Sequence, residues 1–177
     1  TTGVPQTHDN GTQFTIKRAA GFTNGPMFKI KDTSSDSTAI SISNVTLDGN
    51  GGAVAATDAM IDAQAGTVRT RKTAILQNAK ISPAQTTPKA SAINIGGKAR
   101  IDMSNGTVEN NTSNVGGSAI IVNSNFGGVT ATPQQIEQRF IASKNVKVTG
   151  NTSSDGSKAN VQLGKNNHIH VDKTRAL

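Results

Sequence analysis

Three sets of side chains in this sequence have the types and spacing to do chemistry. The first is basic. Arg71 and Lys98 each stand seven residues before an asparagine, Asn78 and Asn105. Lys72 and Arg139 stand six before Asn78 and Asn145, and Arg100 stands five before Asn105. Lys80 and Lys147 each follow one of these asparagines by two residues. If the asparagines mark a repeat that stacks, the first five cations form a basic stripe, and Lys80 and Lys147 a second basic register. A row of like charges repels itself, so a stripe points to a polyanionic ligand. Acidic or mucin-type polysaccharide, teichoic acid and extracellular DNA are the candidates. The formal net charge of +7 agrees with that direction. Aromatic residues make up only 3% of the chain, which leaves no stacking platform for bases or sugar rings. Binding is therefore expected to be electrostatic and salt-sensitive.

The second set is acidic. Asp36, Asp48, Asp58, Asp62, Asp102 and Glu109 are scattered, and no motif holds a dense pair. Asp48 and Glu109 each lie four residues past an asparagine, Asn44 and Asn105, and so share a register. A glycosidase needs two carboxylates that meet in space, and the sequence leaves that alternative open. The third set is His168 and His170, which share one side of a strand because they are two apart. An exposed terminal strand is the expected reading, and no metal site is expected. Gly49-Asn50-Gly51-Gly52 lacks the Lys-Ser/Thr of a phosphate loop, and no cofactor is expected. There is no cysteine, so disulfides and thiolate metal sites are excluded.

The element that must position these groups is a repeat. Residues 40–50 recur, degenerately, at 74–82, 101–111 and 141–151. The copies share Asn44, Asn78, Asn105 or Asn145, then any residue, then Thr or Lys, then an aliphatic residue. A second asparagine follows at Asn50, Asn111 and Asn151 but not in the second copy. Apolar residues alternate within each copy, which predicts short strands with one face buried. One copy has nothing to bury that face against, whereas stacked copies bury it on one another. The spacings of 34, 27 and 40 between the repeated asparagines suit a solenoid with variable loops. The repeated asparagine is read as a corner, because it tolerates left-handed backbone, and as a rung of an amide ladder. The fold class expected is all-β, a parallel β-helix with irregular loops and at most one short helix near 132–139. There Thr132-Pro133-Gln134-Gln135 has a helix-start pattern.

The chain is read as one domain over 1–177, a piece of a longer protein, with a loose segment at 1–12 and closing strands over 159–177. It has no tryptophan or tyrosine. A narrow solenoid filled with Ile, Val, Leu and Ala does not need them. No apolar run approaches the roughly 20 residues of a membrane span, so no membrane insertion is expected.

Several phrases resemble a known family. They are Phe14-Thr15-Ile16-Lys17-Arg18-Ala19-Ala20-Gly21, Asn44 to Gly52, Gly106 to Thr112 with Gly116 to Ile120, and Val148 to Thr152 with Asn160 to Leu163. In that order they are similar to the pectate-lyase-like adhesive domain of Gram-positive cell-wall-anchored surface proteins. More distantly they resemble chlamydial polymorphic outer-membrane proteins. The resemblance implies a right-handed parallel β-helix on the outside of a bacterium, anchored to the cell wall through a part not in this chain. The function expected is a non-catalytic adhesin module that binds an anionic matrix through the basic stripe. A polysaccharide lyase or hydrolase on the same fold, or a stalk that binds nothing, are the alternatives.

Overall fold

A computed structural model of the chain describes residues 13–31, 38–124, 132 and 138–172. Its strands come in five sets of three, with a two-residue strand added in each of the last two. The first set is β1 (Phe14–Lys17), β2 (Phe28–Ile30) and β3 (Ala39–Ser43). The second is β4 (Val45–Asp48), β5 (Ile61–Ala63) and β6 (Thr67–Arg71), and the third β7 (Ile75–Gln77), β8 (Ala90–Ile95) and β9 (Arg100–Met103). The fourth is β10 (Gly106–Glu109), a two-residue β11 (Thr112–Ser113), β12 (Ser118–Val122) and β13 (Phe140–Ala142). The last is β14 (Val146–Thr149), β15 (Thr152–Ser153), β16 (Val161–Leu163) and β17 (Ile169–Val171).

Each strand pairs with its equivalent in the next set. Three five-stranded sheets result: A in the order β1-β4-β7-β10-β14, B in the order β2-β5-β8-β12-β16, and C in the order β3-β6-β9-β13-β17. A short ladder, β11-β15, stands apart. Every pairing between named strands is parallel. Among the described residues there is no helix. The fold is all-β, with parallel strands in stacked sheets, as a β-helix or solenoid requires. Of the short helix expected near 132–139, residues 133–137 lie outside the described residues, as do 1–12 and 173–177.

Alternation explains which side chains turn inward. Leu47, Leu76 and Val108 in sheet A, Ile61, Ile93 and Ile120 in sheet B, and Val68, Ile101 and Phe140 in sheet C are all essentially inaccessible. They belong to one continuous apolar cluster. Each such side chain contributes roughly 1.5–3 kcal/mol by leaving water. The intervening residues, such as Lys29, Asp62 and Asn94 in sheet B, face out.

The corners carry the irregularity. In sheet A, Thr15, Thr46, Ile75, Thr107 and Lys147 stand level, so successive repeats take 31, 29, 32 and 40 residues. Left-handed backbone occurs at Asn44, Lys72, Gly106 and Lys144 where sheet C passes to sheet A, and at Asn50, Asn78, Asn110 and Gly150 where sheet A passes to sheet B. Asparagine and glycine tolerate that region, which is why they collect at corners.

Two expectations about the repeat change here. Asn78 does not stand level with Asn44. The pairing of β4 with β7 sets Asp48 against Gln77, which puts Thr73 level with Asn44 and Asn78 level with Gly49. Asn78 is a corner residue, but of the next corner. The second repeat lacks the first asparagine altogether, having Thr73 in its place, so Asn78 lies five residues beyond the position level with Asn44. Lys80 and Lys147 therefore do not share a register: Lys80 bridges to Thr112, whereas Lys147 pairs with Thr107.

Candidate ligand-binding surfaces

The five cations expected to form one stripe divide between two corners. Arg71 ends β6 in sheet C, and Lys72 follows it at the passage to sheet A. Lys98, Arg100 and Arg139 sit at the opposite end of sheet C, at the passage from sheet B. Arg100 and Arg139 do stand level in neighbouring strands, since Ile101 pairs with Phe140. About four residues of extended chain, roughly 13 Å, separate the two ends of the sheet.

Their environments differ as much as their positions. The Arg71 guanidinium grips Asp102, with Nη2 at 2.8 Å from Oδ2 and Nη1 donating to the Asp102 carbonyl at 2.9 Å. This bidentate, half-buried pair is a structural clamp across β6 and β9. Arg139 is turned inward and only 1% exposed. It donates to the carbonyls of Asn123, Gly97 (3.0 Å) and Ala99 (3.3 Å). Burial pushes its pKa down to about 10. Lys72, Lys98 and Arg100 are exposed. Arg100 is oriented by a bond from Nε to Thr67 Oγ1 at 2.9 Å. None of these three takes part in an ion pair among the described residues. The B-to-C passages also carry Lys31, Lys165 and His168, all exposed. Lys80 and Lys147 are exposed on or beside sheet A, in separate registers.

The amide ladder exists, but one corner away from the expected place. Asn111 and Asn151 are 1% and 2% exposed. Asn111 Nδ2 donates to Asn151 Oδ1 at 2.9 Å and to the Leu76 carbonyl at 3.1 Å. Asn111 Oδ1 accepts from the Ala79 amide at 2.9 Å. Asn151 Nδ2 reaches the Val108 carbonyl and Asn160 Oδ1, at 2.9 and 3.0 Å. Asn44, Asn105 and Asn145 do share a register in the other corner, where Asn44 and Asn105 are half-buried and Asn145 is exposed. Their amides bond only at the margin: Asn105 Oδ1 accepts from the Asn145 amide at 3.4 Å, and Asn44 Oδ1 from Thr73 Oγ1 at 3.1 Å.

Two of the clefts among the described residues are lined by these polar and charged groups. One, about 350 Å³, lies at the A-to-B corner and is lined by Lys17, Asp48, Asn50, Asn78, Lys80 and Asn110 among others. Asp48 is held there by the Asn50 amide at 2.7 Å and by Asn78 Nδ2 at 3.3 Å. Asp48, Gln77 and Glu109 stand level on successive strands of sheet A, so the two carboxylates are two strand spacings apart.

The other cleft, about 310 Å³, lies on the outer face of sheet B. Asp62 Oδ1 accepts from Gln64 Nε2 at 2.7 Å and from Asn94 Nδ2 at 2.8 Å. Asn94 Oδ1 in turn accepts from Asn123 Nδ2 at 2.9 Å. Gly96 lies directly beneath Gln64, where a β-carbon would strike the Gln64 carboxamide. This groove was not foreseen as a site. Its signal was present: apolar-polar-apolar triplets around Lys29, Asp62 and Asn94 fall on adjacent strands of one sheet. Seen one at a time, they read only as separate strands.

Of the remaining candidates, His168 and His170 are exposed around β17. Among the described residues no cluster of three or more His, Asp or Glu side chains is placed to hold a metal, and no helix is long and apolar enough to cross a membrane.

Compared with protein-family models, curated proteins and solved structures, the chain finds no match in any of the three.

Proposed function

We propose that this chain is a right-handed parallel β-helix module of a bacterial surface protein, a non-catalytic adhesin that holds an anionic matrix polymer along the B-to-C edge. The observation that carries this reading is the placement of Lys98 and Arg100. Both are exposed and without an ion pair among the described residues, on an edge that also carries Lys31, Lys165 and His168. The five-residue stripe contracts accordingly: Arg71 is spent on Asp102, Arg139 on backbone carbonyls, and Lys72 lies across the sheet. The ligand is an acidic or mucin-type polysaccharide or extracellular DNA, bound by charge.

A hydrolase is the second reading, and one observation favours it. Asp48 and Glu109 share a column with Gln77 between them, about 10 Å apart along the sheet, near the separation that leaves room for a catalytic water. Against it, Asp48 already accepts two hydrogen bonds that hold it toward the corner.

The test compares two double charge reversals. Lys98→Glu with Arg100→Glu should nearly abolish retention on heparin or DNA, while Lys72→Glu with Lys144→Glu, on the opposite corner, should cost far less. Parental affinity should fall steeply between about 50 and 200 mM salt. Equal losses from the two pairs would reduce the attraction to diffuse net charge. Cleavage of polygalacturonate or another acidic glycan, abolished by Glu109→Gln, would replace this reading with the hydrolase.

A further inference from the structure

The groove on the outer face of sheet B is built differently from the basic edge, and its construction names a different ligand. Its floor is a small apolar cluster separate from the main core, formed by Ala59, Ala90 and Ile121. One side is the row Gln64, Asp62, Asn94 and Asn123, each side chain hydrogen-bonded to the next. The other side is the turn Thr87-Pro88-Lys89. That turn is fixed from below by Asn114, which is 1% exposed. Asn114 Nδ2 donates to the carbonyls of Gln85 and Thr87 at 2.8 and 2.7 Å, and its Oδ1 accepts from the Lys89 amide at 2.8 Å. Both walls are thus held before any ligand arrives, which lowers the entropic cost of binding.

The charges in and beside the groove balance. Lys89 Nζ lies 3.5 Å from Asp58, and Lys29 Nζ 3.9 Å from Asp62. Burial works to raise the Asp58 pKa, but the bond from Thr57 and the nearby Lys89 outweigh it, and the carboxylate sits below its ordinary range. A polyanion would meet two carboxylates here, and a polycation two ammonium groups. An apolar ligand would strip water from groups that need it. What remains is a neutral molecule whose groups both donate and accept.

We propose that this groove is a second, independent binding site, for one or two residues of a neutral glycan. The volume of about 310 Å³ is at the small end of ligand pockets, and suits a short segment. Hydroxyls would accept from the second Asn94 amide hydrogen and donate to the Asn123 and Asp58 oxygens, with a ring face against Ala59 and Ile121. The module would then grip a mixed matrix twice, by charge on the edge and by hydroxyl recognition in the groove.

The experiment uses the whole chain, labelled with nitrogen-15, and four neutral hexasaccharides as probes: cello-, xylo-, manno- and chitohexaose. At least one should shift the side-chain amide signals of Asn94 and Asn123 and the backbone amide of Lys89. Asn94→Ala and Asn123→Ala should each weaken that probe roughly tenfold. Both variants alter outward-facing side chains and should melt with the parent, and either one alone suffices if the other unfolds. Raising salt to about 200 mM should leave the affinity unchanged, unlike that of the basic edge. No shift with any of the four probes would overturn the proposal. So would binding that survives both alanine variants, or shifts confined to Lys98 and Arg100.

Discussion

The two asparagine corners of this molecule use the same side chain at the same interval for different ends. Where sheet A passes to sheet B, Asn111 and Asn151 are buried and bond to each other and to backbone on either side. Where sheet C passes to sheet A, Asn44, Asn105 and Asn145 recur as faithfully in sequence but stay in contact with water. The arginines repeat the lesson. Arg139 and Arg100 stand level on adjacent strands, one sealed under three carbonyls and the other reaching outward from Thr67. Recurrence therefore marks a corner without saying which way the corner faces. Energy follows burial, because a polar group in water regains its bonds when a partner is lost, and a buried one does not.

That contrast can be broken most sharply at the arginines. Arg139→Leu should strand the carbonyls of Gly97 and Ala99, leave the Asn123 carbonyl only Asn167 Nδ2 as a donor, and cost about 3 kcal/mol or more. Arg100→Leu, one strand away, should stay within about 0.5 kcal/mol. Urea unfolding of both variants measures the difference. Similar midpoints would mean that Arg139 is not a clamp.

Next come the amides. Asn111→Ala should cost on the order of 1–3 kcal/mol, since it leaves the Ala79 amide without its acceptor in the interior and removes one of the two donors to Asn151 Oδ1. Asn105→Ala should cost a few tenths. A thermal melt in which Asn105→Ala loses more than Asn111→Ala would put the stabilising ladder back in the C-to-A corner.

The smallest effect sharpens the comparison at a group open to solvent. Asp155 Oδ1 accepts from Ser153 Oγ, the Ser157 amide and Ser157 Oγ at 2.6, 2.9 and 2.7 Å, which holds its pKa at about 2. A carboxylate whose folded pKa lies below its unfolded value supports the fold above the unfolded value. That support fades as pH falls through the folded one. The Ser157 amide signal should therefore titrate near pH 2, while the global melt changes little. A midpoint at the ordinary aspartate value would show that the turn does not hold in solution.

Much of this fold is written in the local pattern. Alternation at Ile61-Asp62-Ala63, Ile93-Asn94-Ile95 and Val161-Gln162-Leu163 locates strands of sheet B, because a strand's two faces differ and the pattern shows it. The scarcity of aromatics and the run of Ile, Val, Leu and Ala are likewise enough to point to a narrow, stacked core. Asn44 at a corner was legible for the same kind of reason, since asparagine's tolerance of left-handed backbone is a property of the residue itself.

Register was not legible, and register decides the sites. Repeats of 31, 29, 32 and 40 residues differ because corners absorb insertions without disturbing the strands between them. Counting from Asn78 consequently set Arg71 and Lys72 beside Lys98, although they lie at the far end of the sheet. Lysine at the left-handed corner positions 72 and 144 gave no local sign of its place. Nor did anything in the chain around Arg139 say that it turns inward, since its acceptors are carbonyls of residues 97, 99 and 123. The sequence by itself determined strands, faces and the composition of the core, all set by neighbours along the chain. Which asparagines ladder, which arginines clamp and where Asp62 meets Asn94 depended on pairing between residues tens of positions apart, and only the tertiary structure decided that.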